Sequence, residues 1–116
     1  MRYAAEHLHN GGYVKQPDGI FALRWDASLP ENWSPSSATL IVLVPPLFPA
    51  QAPSGFDAVG DVRVNGAPAG GAGGRPIGQE SCTHFCWNPA GAIDYRAVDG
   101  IWRFAKFSET RFLTRQ

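Results

Sequence analysis

An apolar run, Thr39-Leu40-Ile41-Val42-Leu43-Val44, passes without interruption into Pro45-Pro46-Leu47-Phe48-Pro49-Ala50-Gln51-Ala52-Pro53-Ser54-Gly55-Phe56. Each proline holds φ at about −65° and carries no backbone donor, so a strand that reaches Val44 can neither extend its ladder nor pass into an ordinary helix there. The pattern predicts a buried strand that ends in a stiff loop. Phe48 and Phe56 would each contribute about 2–3 kcal/mol on leaving water, which pins such a loop to the core as a flap.

The flanking residues predict the partners of that strand. Arg2 to His9 has helical spacing anchored by Tyr3 and Leu8 and stops at Asn10-Gly11-Gly12, giving a short N-terminal helix within residues 1–10. Around Tyr13-Val14-Lys15 the alternation is weak; in the next segment Phe21, Leu23 and Trp25 share a face opposite Ala22 and Arg24. These read as neighbouring antiparallel strands joined by Pro17-Asp18-Gly19. Ala38 to Val44, apolar on both faces, reads as a central strand, and Asp57 to Val64 supplies a fourth before Asn65-Gly66 turns the chain.

Residues 65–79, with Ala67-Pro68-Ala69-Gly70-Gly71-Ala72-Gly73-Gly74-Arg75-Pro76 at their centre, lack large side chains to offset the entropy of ordering, which predicts a mobile loop. Its glycines do not make a phosphate cradle, because no helix opens behind them and Arg75-Pro76 stands where a lysine is often found. From Tyr95 onward, Val98, Ile101, Trp102, Ala105 and Phe112 fall on one helical face flanked by Phe104 and Phe107. Asp94 or Asp99 near the start and Arg111 and Arg115 near the end suit the dipole of such a helix. The resulting fold class is α+β: an antiparallel meander of about four strands, a proline-rich flap and a C-terminal helix packed on the sheet. All of it fits one domain over residues 1–116.

Ten basic residues balance ten acidic ones, so the chain lacks the positive field that dominates affinity for a phosphate backbone, and nucleic acid is not an expected partner. Arg103, Lys106, Arg111 and Arg115 make only the last helix locally basic, as a solvated face or a docking face for an acidic partner. No apolar run approaches the roughly 20 residues of a membrane helix. Charged residues stand in Met1-Arg2-Tyr3-Ala4-Ala5-Glu6-His7 where a signal peptide would need its apolar stretch, so the expected location is cytoplasmic and no membrane partner is expected.

Chemistry, if present, belongs between Cys82 and Asp99, where Cys82, His84 and Cys86 alternate ahead of Asn88 and Asp94. A disulfide between cysteines four apart is disfavoured, since they stand roughly 13 Å apart in a strand. Cys-x-His-x-Cys offers three zinc ligands, but the fourth, among His7, His9 and the acids, would be remote in sequence; no metal and no cofactor is expected. Phe85 and Trp87 on either side make a buried, inert Cys86 the plainer expectation, and a reactive thiol the alternative.

The strand and its proline flap resemble the strand and "YPxxPP" flap of the ubiquitin-conjugating-enzyme (UBC) fold, and are most similar to the prokaryotic family E of that superfamily. Phe21-Ala22-Leu23-Arg24-Trp25 with Ser28-Leu29-Pro30-Glu31-Asn32-Trp33 resembles that branch's early strand and "plPxgW" turn; His84-Phe85-Cys86-Trp87-Asn88-Pro89 stands in the place of its "FSWHP"-like motif. The similarity spans about residues 15–115. It implies a bacterial ubiquitin-like modification component that accepts or binds a ubiquitin-like protein delivered by a ThiF-type adenylating enzyme. If the component is active, the resemblance implies a transferase that carries the modifier on Cys86 as a thioester.

In that reading His84 would activate the thiol, Asn88 would supply an oxyanion donor, and Asp94 would orient or deprotonate the incoming amine. The chain departs from the wider family in having no His-Pro-Asn tripeptide ahead of the cysteine, with Asn88-Pro89 following Cys86 instead. Two alternatives therefore stand beside it: a catalytically inactive adaptor of the same fold, and a peptide-binding module unrelated to ubiquitin whose proline flap is the binding surface.

Overall fold

The computed structural model describes residues 1–89 and 93–113. Helix α1 (Arg2–His7) leads into β1 (Gly12–Lys15) and β2 (Phe21–Ser28), which form a hairpin closed by Pro17-Asp18-Gly19 with Tyr13 opposite Leu23. Gly19 takes φ 88°, a left-handed conformation that suits a residue without a Cβ. A two-residue strand, β3 (Trp33–Ser34), precedes β4 (Ser37–Val44), and the proline arch separates β4 from β5 (Phe56–Val59). Then come β6 (Arg63–Val64), β7 (Ala67–Pro68), β8 (Ala72–Ile77), β9 (Glu80–Phe85), helix α2 (Gly100–Glu109) and a 3₁₀ turn over Thr110–Leu113.

Six strands join in the order β1-β2-β4-β5-β9-β8, every pair antiparallel, and β3-β6-β7 make a small second sheet. The α+β class, the antiparallel sheet and the C-terminal helix agree with the sequence, and β4 is flanked on both sides as its two-faced apolarity requires. The sheet is wider than the four strands expected. Asp57–Val64 is not one strand: Gly60 at φ 98° turns the chain after Val59, and Arg63–Val64 pairs in the small sheet.

The glycine-rich segment also differs from expectation, because Ala72–Ile77 is strand β8, paired with β9 along its whole length and forming one edge of the sheet. Main-chain hydrogen bonds need no side-chain bulk. Arg75 adds an anchor by crossing β9 to reach Asp57 on β5. Pro76 lies within this edge strand opposite Ser81. Leu47 and Val98 are exposed, and Val98 precedes α2, which starts at Gly100 rather than near Tyr95. A Cβ at Gly100 would stand 2.6 Å from the Asp94 carbonyl, so the tight turn before the helix requires glycine.

One face of the large sheet carries Leu23, Trp25, Leu40, Val42, Phe56, Ala58 and Phe85 against Ala4 of α1, Leu8 just after it, and Ile101, Phe104 and Ala105 of α2. The 3₁₀ turn adds Phe112, whose ring meets those of Trp33, Phe56 and Phe85 with centroids 4.9, 5.7 and 5.5 Å away. Arg111, expected on a solvated basic face, is buried: its guanidinium lies over the rings of Trp33, Phe85 and Trp87 and donates to the Gly70 carbonyl. Burial pushes its pKa down from the usual arginine range. Arg115 lies outside the described residues. Among those described, no helix is long and apolar enough to cross a membrane.

Among the described residues no helix covers the opposite face. Ala22, Ile41 and Cys82 are nonetheless buried there, with Leu43, Val59 and Ile77 beside them, because two arginines lay their stems across the sheet to carboxylates on other strands. One is Arg24 on β2, bidentate to Glu80 at 2.6 and 3.0 Å. This bond lowers the Glu80 pKa against an opposing burial effect, and the arginine charge adds to the lowering. A carboxyl lowered on folding stabilises the fold above its unfolded pKa and loses that contribution as pH falls through the folded value. In urea titrations between pH 2 and 6, an Arg24→Gln variant is therefore expected to be less stable than wild type at pH 6, with the difference closing as Glu80 protonates. A pH-independent difference would contradict this.

Candidate functional site

The second crossing arginine defines the site. Asp57 on β5 is fully buried and has His84 on β9 as its register partner, while β8 lies beyond β9. Arg75 spans from β8 across β9 and donates through Nε to Asp57 Oδ2 at 2.8 Å and through Nη2 to Oδ1 at 2.6 Å. His84 Nδ1 lies 3.0 Å from the same Oδ1. One enclosed carboxylate thus has two basic partners. The fork-on-fork geometry, then the carboxylate charge, raises the Arg75 pKa against the cost of its partial burial.

Sequence reading did not anticipate Asp57 or Arg75 as site residues, since they lie 27 and 9 positions from His84 (84 − 57 and 84 − 75) and meet only through strand order. The available signal was a lone aspartate inside an apolar strand. It was visible but had no partner in the linear chain.

Cys86 follows the last residue of β9 and is exposed, whereas Cys82 is buried. The expectation of a buried Cys86 is therefore corrected, and the inert buried thiol is Cys82. The cause is the end of the strand: Phe85 turns into the core, and beyond it no strand among the described residues pairs with Cys86. Burial, then the negative charges of Asp57 and Glu80, raises the Cys82 pKa.

The four residues proposed from sequence are partly brought together. His84 faces Asp57, and no hydrogen bond joins it to the Cys86 sulfur among the described residues. Asn88 Nδ2 donates to the Ser54 carbonyl at 3.2 Å, so its amide ties this segment to the foot of the proline arch. Asp94 is exposed and caps a local turn, its Oδ1 accepting from the Arg96 amide. That hydrogen bond does not reach the segment of Cys86.

The arch itself is packed down. Phe48 meets Tyr95 edge-on at 5.8 Å and Pro53 is fully buried, while Phe56 belongs to β5 and not to the flap. At Gly55 a Cβ would lie 2.3 Å from the Phe85 carbonyl and 3.2 Å from His84 Cε1, so the arch and β9 approach too closely for any side chain. Trp87 stacks on Phe107 at 5.7 Å and donates to Thr110, fixing the chain beyond Cys86 to the end of α2. An exposed thiol consequently stands between two anchored neighbours, beside a packed proline arch. No group of three or more metal-ligating side chains occurs among the described residues. No protein-family model, curated protein or solved structure matches the chain.

Proposed function

We propose that this chain is a UBC-like component of a bacterial ubiquitin-like modification system, one that receives a ubiquitin-like protein from a ThiF-type adenylating enzyme as a thioester on Cys86. The observation that carries this reading is the exposed Cys86 at the end of β9, fastened beside the arch by the bond from Asn88 to Ser54. A thiol that takes a macromolecular acyl group must be open to solvent yet held in a fixed place, and this arrangement meets both conditions. The adaptor reading draws on a different observation: His84 and Asn88 are bonded to Asp57 and Ser54, and neither bonds the sulfur.

Incubation with the adenylating enzyme, ATP and the ubiquitin-like protein separates the two. A conjugating component is expected to give an adduct cleaved by added thiol, lost in Cys86→Ser and retained in Cys82→Ser. Binding of the modifier without any adduct would establish the adaptor instead.

A further inference from the structure

The buried carboxylate of Asp57 has no role in the reading above, yet enclosing a charge is costly unless its partners are held in good geometry. Both of its oxygens accept hydrogen bonds from Arg75, so it has only acceptor capacity left for His84. The imidazole must then donate through Nδ1. Its other nitrogen, Nε2, is the neighbour of Cε1, and Cε1 is the ring atom that lies against Gly55 at the foot of the arch. The same foot is bonded to Asn88 through Ser54, with Cys86 between His84 and Asn88 in the chain. His84 Cε1 and the carbonyl of Phe85, the residue ahead of Cys86, thus both lie against Gly55, which brings the imidazole and the start of the Cys86 segment to one place at the foot of the arch.

We propose that Asp57, clamped by Arg75, is the positioning residue for His84, fixing the imidazole with Nδ1 protonated so that Nε2 takes the proton of an amine attacking a thioester on Cys86. This rests on the acyl-carrier reading of Cys86 and assigns the proton transfer to His84 in place of Asp94. In the step, the amine nitrogen forms a bond to the thioester carbonyl carbon and the carbon–sulfur bond breaks. The proton leaving nitrogen passes to Nε2 and from there to the departing Cys86 sulfur. The products are an amide and the free thiol, with His84 returned to its starting form.

The test needs no modification partner. Cys86 is acetylated with p-nitrophenyl acetate, releasing p-nitrophenolate, and the decay of the acetyl-protein in ethylamine is followed by mass spectrometry. General base catalysis is commonly worth 10²–10⁴-fold, so His84→Gln is expected to slow aminolysis roughly 100-fold. Asp57→Asn is expected to slow it and to mix the two His84 tautomers in long-range ¹H–¹⁵N spectra. Wild-type spectra should show Nδ1–H alone, a signature that a purely structural contact to Asp57 does not require to change with the aminolysis rate.

Should Asp57→Asn not fold, the wild-type tautomer and the His84→Gln rate decide between them. An unchanged aminolysis rate in His84→Gln, or a wild-type imidazole protonated only at Nε2, would overturn the proposal. Normal His84-dependent aminolysis with no adduct from the adenylating enzyme would instead leave this assignment standing and remove the ubiquitin-like partner.

Discussion

Replacing Phe85 with alanine is expected to lower the free energy of unfolding by about 4 kcal/mol, the middle of the range for truncating a buried aromatic residue. Its ring is almost completely buried and stacks on Phe56 at 5.0 Å, with Trp33 and Phe112 edge-on at 6.2 and 5.5 Å. The Arg111 guanidinium lies over the same ring. Truncation therefore opens a cavity where the two sheets, the 3₁₀ turn and β9 converge, and it uncovers one side of a buried cation. Since domains of this size are stable by about 5–15 kcal/mol, the variant should keep only about 1–11 kcal/mol of stability. Urea denaturation followed by tryptophan fluorescence measures this directly; a loss under about 1 kcal/mol would mean that the cluster is not packed as described.

The second large effect is electrostatic. Arg75→Met leaves Asp57 buried with His84 as its remaining side-chain partner among the hydrogen bonds described. Removing one member of a fully buried ion pair typically costs about 3–5 kcal/mol. Because the Arg75 side chain is 41% exposed, some of the pair's attraction is already screened by water, and about 2–3 kcal/mol is the expected loss. Adding Asp57→Leu removes the stranded charge, so the double variant should recover most of that stability. The cycle is read from urea midpoints at neutral pH. A double variant less stable than Arg75→Met would show that the carboxylate contributes by something other than its charge.

These two cases also show what was legible in the linear chain. Phe56 is a large apolar residue expected against the core, though as part of the flap, and the apolar run ahead of Pro45 identifies β4 as a central strand. Periodicity carries such information because it depends only on neighbours two to four residues away. The ion pair of Arg75 with Asp57 depends on β9 being inserted between β5 and β8, a long-range arrangement that no local pattern encodes. The same reason explains why Ala72–Ile77 read as a loop: its order comes from pairing with Glu80–Phe85, and glycine-rich composition conceals that. Cys86 shows a further limit. Aromatic neighbours usually mark a buried position, but here one of them, Phe85, enters the core as the last residue of its strand and leaves the next one outside.

Pro76 has a consequence for how molecules of this protein meet one another. An outermost strand exposes main-chain groups that invite a second molecule to continue the pairing and, by repetition, to build a fibril. Proline contributes no amide hydrogen, and its ring obstructs the approach of an incoming backbone. Set inside β8, it interrupts the continuous template that this edge strand presents. A residue that does nothing for the fold's own ladder thus acts as a stop against self-propagating assembly.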